Sequence, residues 1–108
     1  MSAALQTPTI ASPLVREMGC TLAEFSRWLP GATRNAPLVS APDGSGMRLQ
    51  LQVESGTVEI DLQPQPPRRI ALLTLPVLLV TFRFLELEQA QRLRFLTYFD
   101  HYTRRGGG

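Results

Sequence analysis

The sequence has no lysine, and it has only one cysteine and one histidine among its 108 residues. The single cysteine, Cys20, excludes a disulfide within the chain. One cysteine and one histidine, without carboxylates at ligand spacing, do not make a metal site. We therefore expect no metal and no other cofactor. A chain of this length buries a sufficient core without them.

The sequence also lacks the long apolar run of a membrane span. Its most apolar stretch, Ile70–Leu85, is interrupted by Pro76 and Arg83, whereas a spanning helix needs about 20 apolar residues. The amino terminus has neither the basic segment nor the apolar segment of a signal peptide. We therefore expect a cytoplasmic protein that does not associate with membranes.

Positive and negative charges nearly balance, with a formal net charge of +2. Their distribution is uneven, because residues 1–63 carry four arginines against six acidic residues and residues 64–108 carry seven against three. This mildly basic end indicates either a solvated face or an anion-binding surface. The candidate anion-binding residues are Arg68, Arg69, Arg83, Arg104 and Arg105.

Two segments have a helical pattern. Thr21-Leu22-Ala23-Glu24 is a capping box that opens a short amphipathic helix, and Pro30-Gly31 is predicted to end it. Residues 86–103 predict a longer helix, with Glu86 and Glu88 in its first turn. Its aromatic stripe has the spacing of a core face. The stripe consists of Phe95, Tyr98, Phe99 and Tyr102.

Residues 47–63 alternate between apolar and polar, which predicts a β-hairpin. A two-residue turn at Ser55-Gly56 pairs Val53 with Val58 and Leu49 with Leu62, so that apolar residues meet apolar ones. The preceding residues 30–46, rich in proline and glycine, are predicted to be a loop. The following Pro64–Pro67 is predicted to be a stiff connector that ends the ladder.

The stretch Ile70–Leu85 favours strands over helix because it is rich in β-branched and aromatic residues. We predict two strands, 70–74 and 77–84, with Pro76 in the turn between them. The alternative is one longer edge strand with a bulge at Pro76. The predicted core face consists of Leu78, Val80, Phe82 and Phe84.

Together these elements predict an α+β domain. Its four-stranded antiparallel sheet has a short N-terminal and a long C-terminal helix on one face, in the order α-β-β-β-β-α, with or without a leading short strand at Leu14–Met18. The single domain spans residues 14–105. Residues 1–13 are predicted to be a flexible arm, and residues 106–108 a flexible glycine tail.

The residues that carry reactive groups have structural explanations as well. Cys20 precedes the helix cap, where it either packs as a hydrophobic staple or is activated by the helix end. A nucleophilic pair of Cys20 and His101 would need Asp100 to orient the histidine, yet neighbouring helical residues point about 100° apart. Glu59 and Asp61 could form a general acid–base pair, but their alternation with apolar residues is typical of the solvent-exposed face of a hairpin. We therefore favour a function that is not enzymatic.

Two segments resemble parts of PilZ domains, which bind cyclic di-GMP. These are the span from Asp43 to Leu51 and the span from Leu79 to Leu93. The PilZ hallmark places an Arg-x-x-x-Arg motif ahead of the first of them, and this chain has no such pair there. The carboxyl half is also similar to small uncharacterised proteobacterial proteins, and the element order is similar to one repeat of the TATA-binding-protein fold. These resemblances imply a fold and assign no site.

The leading functional hypothesis comes from the side of the sheet that the helices do not cover. An apolar patch left on that side is typical of an interface. We therefore predict a binding or interaction domain that forms a homo-oligomer or binds a protein partner. The alternative is a regulatory domain that binds a nucleotide or nucleic acid through the arginine-rich carboxyl half. The candidate interface residues are Ile70, Leu72, Val77 and Leu79.

Overall fold

A computed structural model describes residues 9–104 of the chain. Its elements are β1 (Leu14–Met18), α1 (Leu22–Ala32), β2 (Leu38–Asp43), β3 (Gly46–Val53), β4 (Gly56–Ile70), β5 (Leu73–Leu85) and α2 (Gln89–Arg104). The strands form one antiparallel sheet in the order β1-β5-β4-β3-β2. The α+β class and the leading strand are confirmed, but the sheet has five strands where four were predicted.

The extra strand is β2, which occupies part of the predicted loop 30–46. It pairs with β3 from Leu38 opposite Leu51 to Asp43 opposite Gly46. Its residues are exposed along almost its whole length, so it shows no alternation of apolar and polar residues. Pro42 is tolerated because β2 is the outermost strand, where a missing N–H is not required by a further neighbour.

The β3–β4 hairpin forms with a turn one residue earlier than predicted. Glu54-Ser55 is the turn, with Val53 opposite Gly56, so Leu49 faces Ile60 and not Leu62. The predicted apolar face is kept because the register differs by an even number of residues. A Cβ on Gly56 would lie 2.2 Å from the carbonyl oxygen of Leu85. The strand, not the turn, therefore requires this glycine.

The two long strands run through the prolines that were predicted to interrupt them. β4 continues past Pro64–Pro67, and β5 continues past Pro76. The ladder shifts between Gln65 opposite Val77 and Arg68 opposite Leu75, so a bulge in β4 faces Pro76. The predicted turn at Pro76 and the predicted connector are both wrong. The turn lies at residues 71–72 instead.

Both helices pack on one face of the sheet, and aromatic rings join the layers. On β5, Phe82 contacts Phe95 and Phe99 of α2, and Phe84 contacts Phe95, all edge to face. Phe25 of α1 lies 5.8 Å from Phe99, centroid to centroid. The predicted core face is confirmed. Its four residues are all buried, namely Leu78, Val80, Phe82 and Phe84.

The capping box is confirmed, whereas the end of α1 and the start of α2 differ from the prediction. The Glu24 N–H donates to the Thr21 hydroxyl, and the Thr21 N–H donates to the Glu24 carboxylate. Helix α1 continues through Pro30, whose fixed φ suits a helix at the loss of one hydrogen bond. Helix α2 begins at Gln89. Glu86 and Glu88 were predicted to lie in the first turn of this helix. They precede the helix instead.

The predicted N-terminal arm lies partly outside the described residues. Within its described portion, Ile10 is buried. The Ile10 N–H donates to the Gln89 side chain at 2.7 Å, and its carbonyl accepts from Arg92 at 2.9 Å. These contacts attach the chain before β1 to the start of α2. The predicted glycine tail, residues 106–108, lies outside the described residues.

Candidate functional site

The β4–β5 hairpin extends beyond its neighbouring strands. Pairing of β3 with β4 reaches only to Leu62, and pairing of β1 with β5 begins only at Leu78. Residues 64–77 are therefore a two-stranded segment with no third strand among the described elements, and we call this segment the ribbon. An isolated two-stranded hairpin is at best marginally stable in water. The ribbon is thus the part of the fold with the least support.

One face of the ribbon carries a row of apolar side chains. Strand alternation and the cross-strand pairs put it on the sheet face opposite the helices. Its side chains are strongly exposed for their type: Leu73 is 62% exposed, Ile70 51% and Leu75 39%, while Leu72 at the turn is fully exposed. We call this surface the ribbon stripe. The stripe consists of Ile70, Leu73, Leu75 and Val77.

The predicted interface residues lie on this side of the molecule, with different degrees of exposure. Ile70 and Leu72 are exposed near the turn, whereas Val77 and Leu79 are half-buried nearer the body. Leu73 and Leu75 were missed. The sequence carries the signal for them, since the alternation that includes Val77 and Leu79 extends back to Leu73 once β5 runs through Pro76.

Beyond Leu79 the same sheet face becomes polar. Gln50 donates to Glu59 at 3.0 Å, and Arg48 lies 3.4 Å from Asp61. The Gln63 side chain donates to Asp61 at 3.1 Å. Glu59 and Asp61 are therefore held by neighbours on the sheet surface. The apolar residues of this face are thus concentrated on the ribbon and its base, although Val15 and Val39 are also exposed on it.

The predicted anion-binding arginines are dispersed. Arg68 and Arg69 lie on opposite faces of the ribbon, because they pair with successive residues of β5. Arg83 lies opposite Glu59, about 26 Å from the level of Arg68 at the usual rise of a strand. Arg104 is exposed at the end of α2. Arg105 lies outside the described residues.

The candidate nucleophile is shielded. Cys20 is only 2% exposed, and burial, followed by the charge of Glu24, raises the pKa of its thiol to about 11. Asp100 accepts two hydrogen bonds from the Arg16 guanidinium, the second at 3.0 Å. His101 is exposed on α2. Asp100, which would have to orient this histidine, is thus bound by Arg16 of β1.

A concave region lies on the helix side of the sheet. It is a cavity of about 710 Å³ between α2, the end of α1 with the loop that follows, and the end of β3. We call it the groove. Its apolar lining includes Val53, Leu93 and Phe95. Sequence analysis missed it because its walls come from three separate parts of the chain.

Charged groups border the groove on two sides. Arg94 donates two hydrogen bonds to the Glu54 carboxylate, at 3.0 and 2.8 Å, and these bonds lower the pKa of Glu54. On the other side, the Arg34 guanidinium lies 4.0 Å from the centroid of the Tyr98 ring. The groove therefore combines an apolar floor with one neutralised ion pair and one stacked arginine.

No known family model matches the chain, and no curated protein shows significant similarity to it. Within residues 9–104, no three His, Cys, Asp or Glu residues are grouped as a metal site requires. No helix in that part of the chain is long and apolar enough to cross a membrane. The ribbon and the groove are the two regions whose geometry suggests a function.

Proposed function

We propose that this protein is a small binding domain that self-associates through its ribbon, as a symmetric dimer in which two ribbon stripes pack together. The exposed apolar face of the ribbon is the observation that carries the proposal. A cytoplasmic location belongs to the same proposal and is supported by the free, buried thiol of Cys20.

The energetic argument starts from side chains that the body of the domain leaves in water. Burying a Leu or Ile side chain contributes about 1.5–3 kcal/mol. Ile70, Leu73 and Leu75 therefore offer several kcal/mol to a second surface of matching chemistry. A second copy supplies such a surface in an isologous interface, where each patch meets itself. Burial would also stabilise a ribbon that no third strand supports.

Charge favours contact through this face. Arg68 lies on it, but its guanidinium is 3.1 Å from the Glu17 carboxylate, so two stripes meet without an uncompensated arginine. Arg69 lies on the opposite face. The ribbon edge of β4 contains Pro64, Pro66 and Pro67, and prolines cannot donate to another strand. Packing between faces is thus favoured over pairing through the β4 edge.

The test compares two neighbouring substitutions. Leu75→Glu puts a charge into the stripe, whereas Thr74→Glu puts the same charge on the opposite face of the same strand. The carboxylate introduced at position 75 lies opposite Arg68, so the ribbon itself tolerates it. In light scattering we expect L75E to weaken the dimer at least about tenfold, since it removes a buried leucine side chain whose burial contributes more than about 1.4 kcal/mol. T74E should match the wild type.

Equal weakening by both substitutions would contradict contact through the stripe. A wild-type chain that stays monomeric at high concentration would contradict self-association altogether. Circular dichroism of both variants checks that the fold is retained.

Nucleic-acid binding is the second candidate, because Arg68 and Arg69 are exposed on a projecting β-ribbon and a β-ribbon fits the major groove of DNA. Fluorescence anisotropy with labelled duplex DNA, and thermal shifts with cyclic di-GMP, test this alternative. Binding that weakens steeply with salt and in Arg69→Gln would support it. The absence of binding to either probe would exclude it.

A further inference from the structure

The groove is a gap that the helices leave on their own side of the sheet. Ring contacts place α2 over β5, and α1 ends beside α2, where a Cβ on Gly31 would meet the Tyr102 hydroxyl. Between these helices and the end of β3, side chains do not fill the space. The volume of about 710 Å³ falls within the range of about 300–1,000 Å³ that is usual for small-molecule sites.

The groove is lined by apolar side chains and bordered by charged ones. Val53, Leu93 and Phe95 supply apolar surface. Arg94 is neutralised by two hydrogen bonds to Glu54. Arg34 has no acidic partner within 4 Å among the described residues. The groove therefore presents one uncompensated positive charge beside an apolar floor.

The Arg34 side chain is positioned so that its guanidinium can bind an anion in the groove. Its guanidinium carbon lies over the Tyr98 ring, 4.0 Å from the centroid, and its N–H groups remain available to a ligand. That fork matches a carboxylate. The guanidinium is also not needed to cap α1, since the N–H groups of Thr33, Arg34 and Asn35 already donate to carbonyls of its last turn.

We propose that the groove binds a small organic monoanion whose carboxylate pairs with Arg34 and whose apolar or aromatic body rests on Val53, Leu93 and Phe95. Charge complementarity selects this occupant. A nucleoside polyphosphate carries several negative charges, whereas the groove offers one free arginine. The ribbon of a second copy carries Arg68 and Arg69 and would bring further positive charge to Arg34. This site is independent of the ribbon stripe.

The test uses two probes of nearly the same shape, one anionic and one neutral. Naphthalene-2-acetate and its neutral amide are titrated into the ¹⁵N-labelled full chain, and binding is followed by amide chemical shifts. The expected result is at least about tenfold tighter binding of the carboxylate, because only the carboxylate forms a charge-assisted hydrogen bond with Arg34. The shifts should centre on residues 32–36, 52–54 and 93–98.

Two arginine variants complete the test. Arg34→Met should reduce carboxylate affinity to that of the amide. Arg27→Met, at an exposed position on α1 outside the groove, should leave it unchanged. Equal affinity of the wild type for both probes, shifts confined to the ribbon, or no binding of either probe would each overturn the proposal. Those three results need no variant, so they stand even if Arg34→Met impairs folding.

Discussion

At the scale of single residues, Gly46 and Gly56 provide space for a close approach of the backbone. A Cβ on Gly46 would lie 1.7 Å from the Leu62 carbonyl oxygen, because β3 and β4 approach closely there. Two non-glycine residues, Glu54 and Ala71, take the positive φ angles of the β3–β4 and β4–β5 turns, at 51° and 54°, whereas Gly44 takes that of the β2–β3 turn. The sequence prediction assigned Gly56 to the turn because glycine favours positive φ. The predicted turn was therefore one residue too late.

The substitution Gly46→Ala tests this role. Relieving the clash with backbone atoms requires a shift of β3 or β4, so we expect a loss of about 1–3 kcal/mol in the free energy of unfolding. Gly19→Ala is the matched control, because a Cβ there meets nothing within 4 Å, and it should change stability by less than about 0.5 kcal/mol. Denaturant unfolding measures both. Equal stability of the two variants would contradict the close approach.

The buried thiol of Cys20 predicts a pH dependence. Its pKa rises from the ordinary value of 9.0 to about 11 on folding. Between these values the unfolded chain releases the proton and the folded chain keeps it, so stability must fall as pH rises from 9 to 11. Thermal unfolding across this range should show a smaller loss in Cys20→Ala than in the wild type. Parallel curves would contradict the raised pKa.

At the scale of elements, β1 depends on one ion pair with α2. Arg16 on β1 donates two hydrogen bonds to Asp100, and the two side chains are 32% and 26% exposed. The Arg16 guanidinium also lies 5.7 Å from the centroid of the Phe82 ring. These contacts connect an edge strand of five residues to the helix layer.

Asp100→Asn should loosen this strand. It leaves a partly buried arginine without its counter-charge, which costs about 1–3 kcal/mol. Hydrogen exchange should become faster at the amides of Leu14–Met18, with little change in β3. The control is Arg48→Gln, which removes a more exposed pair with Asp43 and Asp61 and should shift stability by less than about 1 kcal/mol. Unchanged exchange in β1 would contradict the anchoring role.

Local chemistry in the sequence predicts some elements well and others poorly. The capping box at Thr21 and the core face of β5 follow from short-range patterns that the fold keeps. Pro66 and Pro76 were expected to break strands. They lie where neither edge of the hairpin has a third strand, so missing N–H groups cause no loss there. That circumstance depends on the lengths of β1 and β3, which local patterns do not give.

At the scale of the whole molecule, the sequence predicts an exposed apolar surface but not its shape. An apolar patch was expected on the sheet face that the helices do not cover. Much of the face carries a polar network, and most of its exposed large apolar side chains lie on the ribbon. The groove could not be predicted, because it depends on how the ends of α1 and β3 meet α2 in space. Its apolar residues look like ordinary core positions when only the sequence is considered.

The central claim is that two copies associate through their ribbons. Sedimentation equilibrium of the wild-type chain over a wide concentration range tests it most directly. We expect the average mass to rise from 12.0 kDa toward twice that value, and the rise to be shifted to higher concentration in Leu75→Glu but not in Thr74→Glu. A mass that stays at 12.0 kDa at every concentration would contradict the claim.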